Sequence, residues 1–311
     1  MNQAGIKGEI VNSLMLRLML LGIMVLPCIV FAQSTPRPDN IVLDSIKLDG
    51  YRAVRQELRK KDGEKATEEL AIYKGNKKVM SSLGRHIELF NFGSTGPDST
   101  GELYARDING DGFAEAIITT FTESDFCCNY ITIISLGENI NEIGSFELKE
   151  IDIFYLEDID GDSIPELFFR DPGFIGWRYS FQDSPRPLLI WKWHEGNYYL
   201  ANHDYSEYLS AKIGADDFRE LDSQIRKWQD RAEKSPSQDT TGLLIPPVKL
   251  IEVMLDYYYS GKTQTADSLL DADWPAEIPG KDAFRSELAQ RLNECPYWKI
   301  MQKGPAETEE N

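Results

Sequence analysis

Histidine and cysteine are scarce in this chain, and their scarcity narrows its chemistry. The 311 residues hold three histidines, His86, His194 and His203, none at metal-ligand spacing from another. A centre built on paired histidines is therefore not expected. Four cysteines, Cys28, Cys127, Cys128 and Cys295, are too few for a disulfide framework. No G-x-S-x-G, H-E-x-x-H or phosphate-binding glycine loop occurs, so the corresponding catalytic and nucleotide-binding signatures are missing. Basic residues are outnumbered, 33 Lys and Arg against 51 Asp and Glu, for a formal net charge of −18. Such a surface repels phosphate backbones and attracts divalent cations, so nucleic acid is not an expected partner.

Long apolar runs are also missing, apart from one near the N-terminus. Leu18 to Phe31 follows Arg17 and ends in Val30-Phe31-Ala32, the small-x-small pattern of an export signal cleaved before Gln33. The run is shorter than the roughly 20 residues of a membrane span, and no transmembrane segment is expected once residues 1–32 are removed. Met15 offers an alternative start to Met1. Loss of Lys7, Arg17 and Glu9 with the signal leaves a charge of −19. The expected location is periplasmic or secreted. Lipid anchoring through Cys28 is the less favoured route, because Pro27 fits a lipobox poorly. Three cysteines then remain. Adjacent strand residues point to opposite faces, and consecutive Cα atoms lie only about 3.8 Å apart, so a Cys127–Cys128 bridge needs a distorted turn. Two thiols beside a strand are the alternative; any bridge is expected within this pair rather than to Cys295.

Five regions follow along the chain. After the signal, residues 33–65 read as a Pro-rich leader and an N-terminal helix, with Leu48, Tyr51, Val54 and Leu58 as its stripe. Residues 66–202 alternate in strand fashion. Their turn glycines, Gly75, Gly137 and Gly196, lie 62 and 59 residues apart, a degenerate repeat of four-stranded units of which about two fit. Residues 203–303 are helical in period: Phe218, Leu221, Ile225, Trp228 and Ala232, behind the capping candidate Asp216; then Leu250, Ile251, Met254, Leu255 and Tyr258; then a short return helix with Ala266, Leu269 and Leu270; then Phe284, Leu288 and Leu292, stopped by Pro296. Residues 304–311 read as a disordered acidic tail.

Two acidic nonapeptides, 51 residues apart, carry the chemistry. The first runs Asp107-Ile-Asn109-Gly-Asp111-Gly-Phe113-Ala-Glu115, the second Asp158-Ile-Asp160-Gly-Asp162-Ser-Ile164-Pro-Glu166. Oxygen side chains stand at positions one, three, five and nine; Phe113 and Ile164, at position seven, complete the candidate metal ligands. A hard cation takes six to eight oxygens, and alternating carboxylates around a tight turn supply them. Position twelve is Ile118 or Phe169, so neither loop is an EF-hand.

These loops resemble the calcium loops of FG-GAP and VCBS-type repeats, D-x-[DN]-G-D-G-x-x-[DE] with a strand on each side. The first matches throughout; the second has Ser163 where the pattern has Gly. The resemblance covers about 66–202 and implies structural Ca2+ at both loops. It also implies an α+β chain: a propeller-like antiparallel β-repeat domain, short of a closed propeller, followed by the helical segment. The expected function is a non-catalytic binding protein of the envelope or secreted fraction. It would meet a protein or carbohydrate through exposed aromatics or the helical hairpin. The aromatic candidates are Phe174, Trp177, Tyr179, Phe181, Trp191, Trp193, Tyr198 and Tyr199, with Trp177, Tyr179 and Phe181 sharing one strand face. A hydrolase of envelope polymers, using carboxylates outside the loops, is the alternative.

Overall fold

The computed structural model describes residues 40–58, 67–94, 103–124, 127–148, 154–234, 245–276 and 278–303. The residues expected to form the export signal and the acidic tail, with Cys28, lie outside them, as do the side chains of Cys127 and Cys128.

Among the described residues twelve strands form three antiparallel sheets of four, each a meander in chain order. The first holds β1 (Ile41–Leu48), β2 (Tyr51–Leu58), β3 (Thr67–Lys74) and β4 (Lys77–Gly84). The second holds β5 (His86–Leu89), β6 (Glu115–Ser124), β7 (Cys127–Ser135) and β8 (Asn141–Leu148). The third holds β9 (Tyr155–Glu157), β10 (Glu166–Arg170), β11 (Leu188–His194) and β12 (Asn197–Leu200). Gly75, Gly137 and Gly196 each sit in the connection between the third and fourth strands of a sheet. There are three four-stranded units rather than two.

The missing unit is the region expected to be helical. Asp49 and Gly50 form a two-residue turn, with Gly50 at φ +67°, and β1 pairs with β2 from Leu48↔Tyr51 outward. An Asp-Gly turn between alternating strands is a strong hairpin signal. It separates Leu48 from Tyr51, so their spacing is a hairpin crossing and not a helical stripe. The β-region therefore begins at 41, not 66.

Core packing explains the order of the sheets. Ala116 and Ile118 on β6, with Ile134 on β7, meet Leu48, Ala53, Leu70 and Ile72 of the first sheet. The intervening Ile117, with Ile131 and Ile133, faces Leu167, Phe169, Leu189 and Trp191 of the third. Both faces of the second sheet are thus covered, which is why its strands read as nearly continuous apolar runs. On the third sheet Phe168 and Ile190 turn outward beneath Tyr205 and Leu209.

Among the described residues six helices follow: α1 (Ser206–Ala211), α2 (Ala215–Lys234), α3 (Val248–Tyr259), α4 (Thr263–Asp273), α5 (Lys281–Glu294) and α6 (Pro296–Lys303). The helical stripes read from sequence are buried, apart from Phe218, which is exposed, and Ala232 and Leu269, which are half-buried. The cap of α2 is not Asp216: the Gly214 N–H donates to Asp217 Oδ2 at 2.8 Å, the reach-back half of a capping box. Pro296 ends α5 but also opens α6, where a first-turn proline costs no hydrogen bond. Cys295 between them is a buried thiol packed on Gly173.

Buried Asn202 fixes the seam between third sheet and helices. Its Oδ1 accepts from Ile190 N at 2.8 Å, and its Nδ2 donates to Leu188 O at 2.8 Å and Tyr259 O at 3.1 Å. Buried Asp171 accepts from the Tyr259 hydroxyl and from Gly173 N, a second tie across the same seam. Among the described residues no helix is long and apolar enough to cross a membrane.

Candidate metal loops and a polar cleft

Each acidic loop ends on the first residue of a second strand, Glu115 on β6 or Glu166 on β10. The turns are built alike. Asp107 accepts from Gly110 N (2.8 Å) and Gly112 N (3.0 Å); Asp158 accepts from Gly161 N (2.8 Å) and Ser163 N (3.0 Å). Asp111 and Asp162 each accept from the position-seven N–H, of Phe113 or Ile164, at 2.8 Å. Glu115 and Glu166 each accept through Oε2 from position two, Ile108 or Ile159, at 2.9 Å. Asp107 and Asp158 thus set the turn through both oxygens, while the residues at positions five and nine each bond the backbone through one. The loops also touch: a Cβ at Gly110 would lie 2.9 Å from Ile164 Cδ1, and Gly110 stands at φ +76°, so this position needs glycine twice over.

Ser163 occupies the same left-handed region, at φ +71°, where the first loop has Gly112. An L-residue there costs about 1–2 kcal/mol, partly offset by glycine's greater unfolded-state entropy. Ser163→Gly is expected to stabilise the protein by about 0.5–1 kcal/mol, read as a raised urea midpoint at unchanged slope. A lowered midpoint would mean the serine hydroxyl holds the turn.

The first loop offers a cation one orphaned buried oxygen, although its carboxylates, unlike those of the second loop, do not gather within 4.8 Å of one another. Glu115 is fully buried, and its Oε1 has no hydrogen-bond partner. Burial pushes its carboxyl up to about 7 despite the Ile108 hydrogen bond, and the charges of Asp111 and Asp107 add to the rise. A dry carboxylate oxygen beside two further carboxylates is costly unless a cation or proton joins it. Asn109 supplies a fourth oxygen, presently accepting from Asp111 N at 3.0 Å. Asp107, Asn109, Asp111 and Glu115 are the residues that would hold calcium; its chemistry there is to neutralise and fix the turn.

The second loop differs. Asp158, Asp160 and Glu166 bring oxygens within 4.8 Å of one another, yet the Lys192 ammonium reaches into the same group. Its Nζ donates to Asp160 Oδ2, to Asp162 Oδ2 at 3.1 Å, to Glu166 Oε1 at 3.4 Å and to the Tyr205 oxygen at 3.2 Å. The Tyr205 hydroxyl shares its single proton between Glu166 Oε1 (2.7 Å) and Asp160 Oδ2 (2.9 Å). Burial opposes the lysine's charge, but the hydrogen bonds it donates to Asp160, Tyr205 and Asp162 outweigh it and raise its pKa. Neither Lys192 nor Tyr205 was among the residues singled out from sequence. The available signal was a lone lysine between two tryptophans in an apolar strand.

The aromatic platform expected on the sheet is not there. Phe174 and Trp191 are buried, and the six other candidates are half-buried. Trp191 packs against Phe146, Phe169 and Tyr297, and Trp193 against Tyr198. Trp177, Tyr179 and Phe181 lie in turns between β10 and β11 rather than on a strand. Both faces of these sheets are covered by neighbours, so shared strand faces meant core. The α3–α4 hairpin likewise spends its apolar side on the core. All three histidines are exposed and lie outside the loops.

A cleft of about 460 Å³ opens instead at the seam held by Asn202. The third sheet and its following turn give it Arg170 and Arg186; the end of α1 gives Lys212. From α3 come Glu252 and Asp256, one turn apart, and Lys249, which pairs with Asp217 at 2.7 Å and Glu252 at 3.2 Å. Burial pushes the Asp256 carboxyl up to about 7, against the nearby Arg170 charge and helped by Glu252. No protein-family model matches the chain, and neither does any curated protein or solved structure.

Proposed function

We propose that the chain is an exported binding protein in which a calcium-stabilised β-repeat scaffold presents the cleft between third sheet and helices. The observation that carries this reading is the cleft: about 460 Å³, large enough for a small ligand, with charges of both signs. The three sheets are read as successive blades of an open propeller-like array. Calcium in the first loop supports the second sheet, which underlies the third. Lys249 is taken up by Asp217 and Glu252, and Arg186 donates to Phe181 O, so Arg170 and Lys212 set the preference for a polar ligand bearing a carboxylate, such as an acidic sugar. Calorimetric titration with uronic-acid oligosaccharides and short peptides tests this. Arg170→Gln is expected to weaken the bound ligand at least tenfold. Binding indifferent to Arg170→Gln and Lys212→Gln would place the ligand elsewhere.

One observation favours a second reading, a hydrolase. Asp256 stays largely protonated towards neutrality while Glu252, a turn away, lines the same cleft, an arrangement suited to an acid and a base. Turnover of a bound oligosaccharide that Asp256→Asn abolishes, with binding kept, would decide for the enzyme.

A further inference from the structure

The second loop keeps the acidic sequence of a metal site, but its centre is filled from within the chain. We propose that the Lys192 ammonium, clamped by Tyr205, is the resident cation of the 158–166 loop, so that the protein binds one calcium ion and not two. This rests on reading the first loop as a calcium site.

The register of the sheets makes the comparison direct. Glu115 on β6 faces Ser135 on β7. On the third sheet Leu167 pairs with Trp191, so the preceding Glu166 faces the following Lys192. Lys192 therefore stands where the first unit has a neutral serine. A second difference accompanies it: position three is Asn109 in the first loop and Asp160 in the second. The extra carboxylate is the one that Lys192 and Tyr205 both engage. The pair Asn–Ser leaves an orphaned buried oxygen; the pair Asp–Lys leaves none, because Glu166 Oε1 is bonded by both Lys192 and Tyr205.

Geometry and charge then agree. Three donors on one nitrogen meet three carboxylates and a phenol, which is how an ammonium satisfies a site made for a hard cation. A calcium ion entering the same space has to expel the lysine, and Lys192 then loses its acid partners within a half-buried position. The clamp has a structural consequence as well. Tyr205 stands at the start of α1, so the loop, β11 and α1 are joined without metal. Calcium thus acts on the second sheet, while the third sheet holds its helices in its absence.

Equilibrium dialysis of the full mature chain against calcium counts the sites. Wild type is expected to bind one equivalent, lost in Asp111→Ala and kept in Asp162→Ala. Lys192→Ser, which copies the first unit, is expected to bind two, and Lys192→Met serves as a second variant should the serine fail to fold. Two equivalents in wild type would overturn the lysine's role while leaving calcium binding intact. None in wild type would overturn the calcium reading itself. One equivalent in well-folded Lys192→Ser and Lys192→Met would show that the second loop is no metal site even when emptied, and would sink the inference.

Discussion

Removing calcium is expected to lower the melting midpoint of the wild-type protein, and Asp111→Ala to abolish that response. Folding gathers Asp107, Asp111 and Glu115 around one turn and buries Glu115 with an unpartnered oxygen. A ligand that binds only the folded state adds about 2.7 kcal/mol at a hundred times its Kd. For a chain of this size that is a shift of about 5–10 °C. Extracellular calcium sites commonly have Kd near 10⁻⁴–10⁻³ M, so ~10 mM calcium is the concentration to use for the tighter end. Glu115→Gln separates the cause from the consequence. With chelator it is expected to melt at or above wild type, because the repulsion is gone; with calcium it is expected to gain little. Asp162→Ala is expected to leave the calcium response largely intact, since Lys192 already balances that loop. A midpoint in wild type unmoved by calcium would make both loops ordinary acidic turns.

Asp256→Asn is expected to stabilise the protein at alkaline pH and not at acid pH. The folded state raises this carboxyl from 3.8 to about 7, chiefly by burial. Between those values the unfolded chain has already lost its proton while the folded one keeps it, so stability falls as pH rises through that window. Above pH 7 the ionised group burdens the fold by up to about 4 kcal/mol, at about 1.4 kcal/mol per unit. The groups facing it are Arg170 from the sheet, Glu252 and Lys249 from α3 and Asp217 from α2; only the two cations oppose the rise. Urea midpoints of wild type and Asp256→Asn should therefore agree near pH 4 and diverge by pH 8. Equal curves at both pH values would mean that Arg170 fully neutralises the carboxylate. A ligand cation or hydroxyl reaching Asp256 would relieve the same cost, which is one reason the cleft suits a binding function.

Much of the architecture was legible in local chemistry. Hairpin glycines marked the last connection of each sheet, and three- and four-residue apolar steps located α2 to α5 but neither α1 nor α6. The first hairpin was lost because Leu48, Tyr51 and Val54 mimic a helical period. The turn residues Asp49-Gly50 carried the truer signal. The aromatic platform failed for another reason. Period-two spacing assigns residues to a face but does not say whether a neighbouring sheet covers it. In this chain sheets cover sheets, so Trp191 became core. The acidic loops were visible as sequence, including the odd Ser163. What separates them, Lys192, was not visible, because its place against Glu166 depends on how β10 and β11 pair. The cleft was equally hidden: its residues come from β10, the turn after it and three helices.

Anomalous diffraction from crystals soaked in a lanthanide, a hard trivalent stand-in for calcium, tests the central claim most directly. The expected map has one strong peak, among Asp107, Asn109, Asp111 and Glu115, with the Lys192 ammonium seated among Asp160, Asp162 and Glu166. A map with no peak at the first loop, or with equal peaks at both and Lys192 swung away, would contradict the account.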